Sequence, residues 1–176
     1  MTRFGRLARG QRGYTLIELL LAMTILGTIT TAVTVLFLQA SKAEVDMNRR
    51  FKAQQDARVA VDRMRREIHC AKLIAPTGVS ASITVTVAGV CPTAVGMADT
   101  NHTYDVVSDS GRFKLRRDNV VLADYVAEQN AFDYTAPVTG TSLGKLRVTL
   151  PINTTPADKG KEWRLVADIV LRNTAR

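Results

Sequence analysis

The twenty residues from Leu19 to Leu38, LLLAMTILGTITTAVTVLFL, contain no charge and no proline. A helix of about 20 apolar residues is what a hydrocarbon core of about 30 Å requires, so the run predicts a membrane-spanning helix near the start of the chain. Thr24, Thr28, Thr30, Thr31 and Thr34 dilute its hydrophobicity. A helical threonine can return its hydroxyl to a carbonyl one turn back, and hydroxylated residues are common where membrane helices touch. These positions therefore suggest helix contacts.

The chain of 176 residues is long enough for one globular domain beyond this run. Its formal charge of +8 first suggests nucleic acid or an anionic surface, so the distribution of charge decides the matter. Residues 1–13 carry +4 through Arg3, Arg6, Arg9 and Arg12, residues 41–75 carry another +4, and residues 76–176 only +1. The excess lies in the leader and a predicted helix, and nucleic acid ranks low among the partners. Arg63, Arg65 and Arg66 have acids interleaved and read as a solvated face.

Arginines before the apolar run are matched by Lys42, Arg49, Arg50 and Lys52 after it, so counting positive charge does not orient the span. Long domains are translocated largely regardless of charge, and Cys70 and Cys91 suit one structural disulfide in an oxidising compartment. The expected topology is single-pass, with the C-terminal part outside. A secretory signal cleaved near Ser41-Lys42-Ala43 is the competing reading. Its apolar region would be about twice the usual length, and Glu18 would enter it at a cost of about 2–3 kcal/mol.

Gly13, Tyr14, Thr15, Leu16, Ile17, Glu18 and Leu19, placed between a short basic leader and an apolar helix, resemble a type IV prepilin signal. The resemblance implies that a prepilin peptidase cuts after Gly13 and methylates the new terminus at Tyr14, and that Glu18 is the family's acid. Phenylalanine is the usual first mature residue, and here it is Tyr14. The proline common in the helix of major pilins is absent, since all five prolines lie from Pro76 onward. Glu18 lies roughly 6 Å along the helix axis from the amine of Tyr14. A carboxylate in lipid needs a partner: it can sit near its own N-terminus at the positive helix end, or reach the amine of a neighbouring subunit staggered by about one turn. By the second route Glu18 is expected to serve assembly.

Residues 41–75 keep a helical pattern, with Met47, Phe51, Ala57, Val61, Met64, Ile68 and Ala71 expected on one packed face. Asp46 with Arg50 and Asp62 with Arg66 are spaced as i,i+4 pairs. Pro76 and Gly78 end the helix, which would be roughly 90 Å long if continuous from Tyr14 to Ala75. Alternation then takes over. Ile83, Val85 and Val87 form one face of a strand, and Tyr104–Val107 and Arg112–Arg116 flank a hairpin turn at Asp109-Ser110-Gly111. Val120–Ala123 follows a second turn, Lys145–Ile152 alternates, and Trp163, Leu165, Ala167, Ile169 and Leu171 form the inward face of a last strand. An antiparallel sheet with one apolar face needs cover, and the amphipathic half of the helix supplies it.

The expected fold is α+β and similar to the pilin fold: a long N-terminal helix, transmembrane in its first half, packed through its second half on a C-terminal antiparallel sheet. The divisions are a leader at 1–13, an assembly helix at 14–40, an amphipathic helix at 41–75 and a sheet domain at 76–176. The segment Arg112 to Tyr134 with Leu171-Arg172-Asn173 resembles minor pilins and the minor pseudopilins of type II secretion. A Cys70–Cys91 bridge would contribute about 3 kcal/mol in the chain-entropy view.

No catalytic motif is present, so no enzyme and no cofactor are expected. His69, Cys70, Cys91 and His102 fail the spacing of a zinc site, because His69 and Cys70 are adjacent on a helix. Asp99, Asp105, Asp109, Asp118 and Asp124 lack EF-hand spacing and read as turn acids. The resemblance implies a minor pilin or pseudopilin with these partners: prepilin peptidase, other pilins, the inner or plasma membrane and an assembly platform. The alternatives are a membrane-anchored binding protein that never polymerises and a DNA-capturing competence pilin.

Overall fold

A computed structural model describes residues 13–89, 91, 98–156 and 158–172. Residues 1–12, 90, 92–97, 157 and 173–176 lie outside the described residues, and with them most of the expected leader and Asn173. The chain divides into two compact units, Met1–Asp46 and Met47–Arg176.

In the first unit the backbone enters helix α1, Leu16–His69, immediately after Thr15. Every described residue from Gly13 to Ala40 is exposed. All five threonines of the run satisfy their own hydroxyls. Thr24 donates to Leu21 O at 2.8 Å, Thr28 to Ile25 O at 2.8 Å, Thr31 to Gly27 O at 2.8 Å and Thr34 to Thr30 O at 2.8 Å. Thr30 shares its proton between Leu26 O and Gly27 O. The run can therefore leave water without stranding a polar group.

The second unit contains the rest of α1 and an antiparallel sheet. The strands are β1 Ala71–Ala75, β2 Gly78–Ser80, β3 Ser82–Val87, β4 Thr100–Asp109, β5 Arg112–Arg117, β6 Val120–Val126, β7 Phe132–Thr135, β8 Lys145–Ile152 and β9 Trp163–Val170. Among the described residues they run in the order β1-β3-β4-β5-β6-β8-β7-β2, with β9 paired to β8. β7 and β6 both pair with β8, through Lys145–Val148 and through Ile152 respectively. The β4–β5 hairpin turns through Ser110 and Gly111, both at positive φ, which glycine adopts without strain.

Strand alternation sorts the side chains. Ile83, Val85, Val87, Tyr104, Val106, Leu115, Leu146, Val148, Leu150 and Ile152 point inward and are buried. The helix closes over them with Ala53, Ala57, Ala60, Val61, Met64 and Ile68. Three alanines in that stripe let the helix approach the sheet closely, and each large side chain fully buried there contributes about 1.5–3 kcal/mol. Trp163 and Leu165 pack partly buried at the margin of the same core.

Three expectations change. The helix ends at His69, short of Ala75, because Ala71–Ala75 pairs with β3. A bulge between Ala71 and Leu73 spaces the buried Ala71 and Ile74 three apart, which in sequence looks helical. Met47 and Phe51 do not join the packed face and are 72% and 68% exposed. At about 100° per residue they fall well round the helix from Ala57 and Met64. Asp62 pairs with Arg65 at 3.6 Å, and Arg63 reaches Glu67 at 3.5 Å.

Candidate functional site: the N-terminal segment

Thr15 ends the extended approach and caps α1. Its carbonyl accepts from Glu18 N at 3.1 Å and from Leu19 N at 3.2 Å, and its hydroxyl faces Glu18 N at 3.4 Å. Thr15-Leu16-Ile17-Glu18 has the spacing of a capping box, with Thr15 at the N-cap and Glu18 at the third helical position. This second duty of the segment was legible as a threonine three residues before an acid. Glu18 lies in the first turn, where the positive helix end favours a carboxylate. Its carboxylate makes no hydrogen bond or ion pair with another described residue. Gly13 and Tyr14 precede the helix, and Tyr14 is 82% exposed.

The segment thus presents an accessible peptide bond between Gly13 and Tyr14, a free carboxylate within one turn of it, and a long apolar face. All large apolar side chains from Leu16 to Leu38 are exposed. So much uncovered apolar surface requires lipid or other helices. The helix is long and apolar enough to cross a membrane by length and composition.

The second unit supplies an anchor that sequence reading missed. Glu67, 4% exposed, lies between Met64 and Ile68 on the packed face of α1. Its Oε2 accepts from the Tyr104 hydroxyl at 2.6 Å and from Arg117 Nε at 3.0 Å. Arg117 Nη1 continues to Asp118 at 3.1 Å, and His102 Nδ1 stands 2.8 Å from the same carboxylate. Burial and the adjoining Glu67 push the Tyr104 phenol well above its ordinary range. For Asp118, desolvation works upward, but the Thr103 N–H, His102 and Arg117 outweigh it and hold the carboxyl low. The signal that would have found Glu67 is an acid at an inward helical position, which must be paired.

The Cys70–Cys91 disulfide forms, with Cα atoms 5.8 Å apart, and fastens the end of α1 to the segment after β3. His69 Nδ1 lies 3.0 Å from Val170 O, so it holds the same end to β9. Arg58 stands over the Trp163 ring at 5.3 Å. The acids expected in turns lie otherwise: Asp105 and Asp109 belong to β4 and Asp124 to β6, where side chains of neighbouring strands pair with them. Each of the five faces a base: Asp99 faces Lys72, Asp105 faces Arg116, Asp109 faces Lys114, Asp118 faces Arg117 and Asp124 faces Arg112. Among the described residues no group of three or more histidine, cysteine, aspartate or glutamate side chains is arranged to hold a metal.

An exposed apolar helix long enough to cross a membrane, together with a helix-on-sheet unit, defines a class: α+β proteins with a membrane-length N-terminal helix. Residues 8–34 match the model of the prokaryotic N-terminal methylation motif. That motif is the type IV prepilin signal, and its match supports a type IV pilin-like protein of the type that a prepilin peptidase processes. No curated protein and no solved structure matches the chain.

Proposed function

We propose that the chain is a minor pilin or pseudopilin, a structural subunit of a type IV pilus or a type II secretion-like filament. It enters the inner or plasma membrane through the helix beginning at Leu16, with the sheet unit outside the cytoplasm. Prepilin peptidase cleaves after Gly13 and methylates the amine of Tyr14. The subunit then joins other pilins on an assembly platform through its apolar helix, with Glu18 pairing the Tyr14 amine of a neighbour.

The observation that carries this reading is the coincidence of the methylation motif with an apolar run, residues 16–38, whose exposed face and one acid, Glu18, find no partner among the described residues. A filament partner relieves both costs at once: it covers apolar surface and neutralises a carboxylate in a medium of low dielectric. The test uses membranes from cells expressing the chain. N-terminal sequencing is expected to read methylated Tyr14-Thr15-Leu16. Glu18→Ala is expected to leave cleavage intact and to remove the subunit from sheared or purified filaments. Incorporation of the Glu18→Ala subunit at the normal level overturns the pairing role, and a mature terminus at Met1, Thr2 or Glu44 overturns the whole reading.

A further inference from the structure

Two Asn-x-Thr triplets occur in the sheet unit, Asn101-His102-Thr103 and Asn153-Thr154-Thr155. Such a triplet, with any residue but proline in the middle, is the acceptor pattern for asparagine-linked glycan transfer in exported chains. Short patterns of this kind occur by chance, so accessibility must separate real acceptors from idle ones.

The fold separates these two sharply. Asn153 is 6% exposed, its Nδ2 donates to Asp158 O at 3.1 Å, and its Oδ1 accepts from Thr155 N at 2.8 Å. Both ends of that carboxamide are committed inside the fold. Asn101 is exposed, and its carboxamide engages no described residue. Thr103 is exposed as well and lies on the same face of β4, because side chains two apart along a strand point the same way. The hydroxyl that such acceptors need therefore stands beside the amide.

Among the described residues the surroundings of Asn101 leave room for a bulky group. β5 begins its pairing with β4 only at Tyr104, opposite Arg117, so no β5 residue flanks Asn101. On the other side the cross-strand neighbours of Asn101 and Thr103 are Thr86 and Thr84, both short. Asn101 is the second residue of β4; β3 pairs this end of the strand, and Asp118 of the β5–β6 turn holds it from the other side at Thr103 and His102 but does not reach Asn101. Thr100 and Asn101 are thus paired on one side among the described residues, and such a strand end opens with the loss of few hydrogen bonds, which allows a transferase to take it in extended form. Asp99 precedes the triplet and adds a carboxylate to the acceptor segment.

We propose that Asn101 is an N-glycosylation acceptor. The co-substrate is an oligosaccharide carried on a polyprenyl pyrophosphate. The Asn101 carboxamide nitrogen bonds to the anomeric carbon of the first sugar and gives one proton to a base of the transferase. The bond from that carbon to the pyrophosphate oxygen breaks, and the polyprenyl pyrophosphate leaves with the electron pair. Glycan attached there covers the polar outer face of β3 and β4, away from the face that packs on α1.

The site rests on the reading that the sheet unit lies outside the cytoplasm, and the experiment keeps the two apart. The full chain is purified from the membranes of its native host, and proteolytic peptides are measured by mass spectrometry. The peptide containing Asn101 is expected to carry a hexose or N-acetylhexosamine series, while the peptide containing Asn153 appears at its unmodified mass. Asn101→Gln and Thr103→Val are expected to abolish the added mass, and Thr103→Ser to retain it. Labelling of intact cells or spheroplasts with a membrane-impermeant lysine reagent reports in parallel whether the sheet unit is outside. An unmodified Asn101 peptide from a chain that takes the label overturns the glycan assignment alone, and one from a chain that excludes the label overturns the topology with it.

Discussion

Replacing Glu67 by alanine tests whether the buried carboxylate holds the helix to the sheet. Two donors lose their acceptor: the Tyr104 hydroxyl, now 2.6 Å from Oε2, and Arg117 Nε, now 3.0 Å from it. A buried donor left unsatisfied costs about 1–3 kcal/mol, and removing one partner of a buried ion pair costs about 3–5 kcal/mol. Arg117 keeps Asp118 at 3.1 Å, and its side chain retains 15% exposure, so part of its charge stays compensated. The expected loss is about 3 kcal/mol, the lower end of the ion-pair range. Tyr104→Phe removes the hydroxyl but leaves Glu67 with Arg117 and Arg63, and should cost about 1 kcal/mol. Because the two residues share one hydrogen bond, the double variant should fall short of the sum by about 1 kcal/mol. Urea unfolding of the full chain in detergent measures these values. Trp163 is the single tryptophan and stacks with Arg58 of α1, so its fluorescence follows helix and sheet parting. A Glu67→Ala chain within about 0.5 kcal/mol of the parent, with an unchanged denaturant slope, would show that the carboxylate is not the anchor.

Reducing the Cys70–Cys91 bridge, or making Cys70→Ser with Cys91→Ser, should lower stability by about 3 kcal/mol in the chain-entropy view, and the same urea titration with and without reductant measures it. The raised Tyr104 phenol predicts an alkaline limit. A group whose folded pKa lies above its unfolded value of 10.0 stabilises fully below that value and loses its contribution as pH rises beyond it. Stability should therefore fall above about pH 10, and Tyr104→Phe should flatten that fall. Asp118 has the opposite sign: its folded pKa is depressed below 3.8, so its contribution is present above that value and is lost as pH falls through the folded pKa. The acid midpoint of unfolding should move upward in Asp118→Asn, as circular dichroism against pH would show.

The parts of the fold that were legible are those whose code is local. Strand alternation placed Ile83, Val85 and Val87 inward, and the hairpin turn at Ser110-Gly111 stands where the glycine signalled it. β7 escaped because Phe132–Thr135 is only four residues and holds its place by pairing with β8. β2 is shorter still and depends wholly on β7. Short strands carry too little periodicity to be read without their neighbours.

By itself the sequence determined the membrane-length helix, the acid at position 18, and the change from helical to alternating pattern. Each depends on residues within one or two turns of one another, and so on rules of spacing. Tertiary structure alone decided that the helix stops at His69, that Glu67 is inside while Met47 and Phe51 are outside, and which of two similar asparagines is accessible. Those outcomes depend on partners far along the chain: β3 for Ala71–Ala75, Tyr104 and Arg117 for Glu67, and an open flank beyond β5 for Asn101. Burial is a property of what arrives opposite a residue, and spacing along one segment cannot report it.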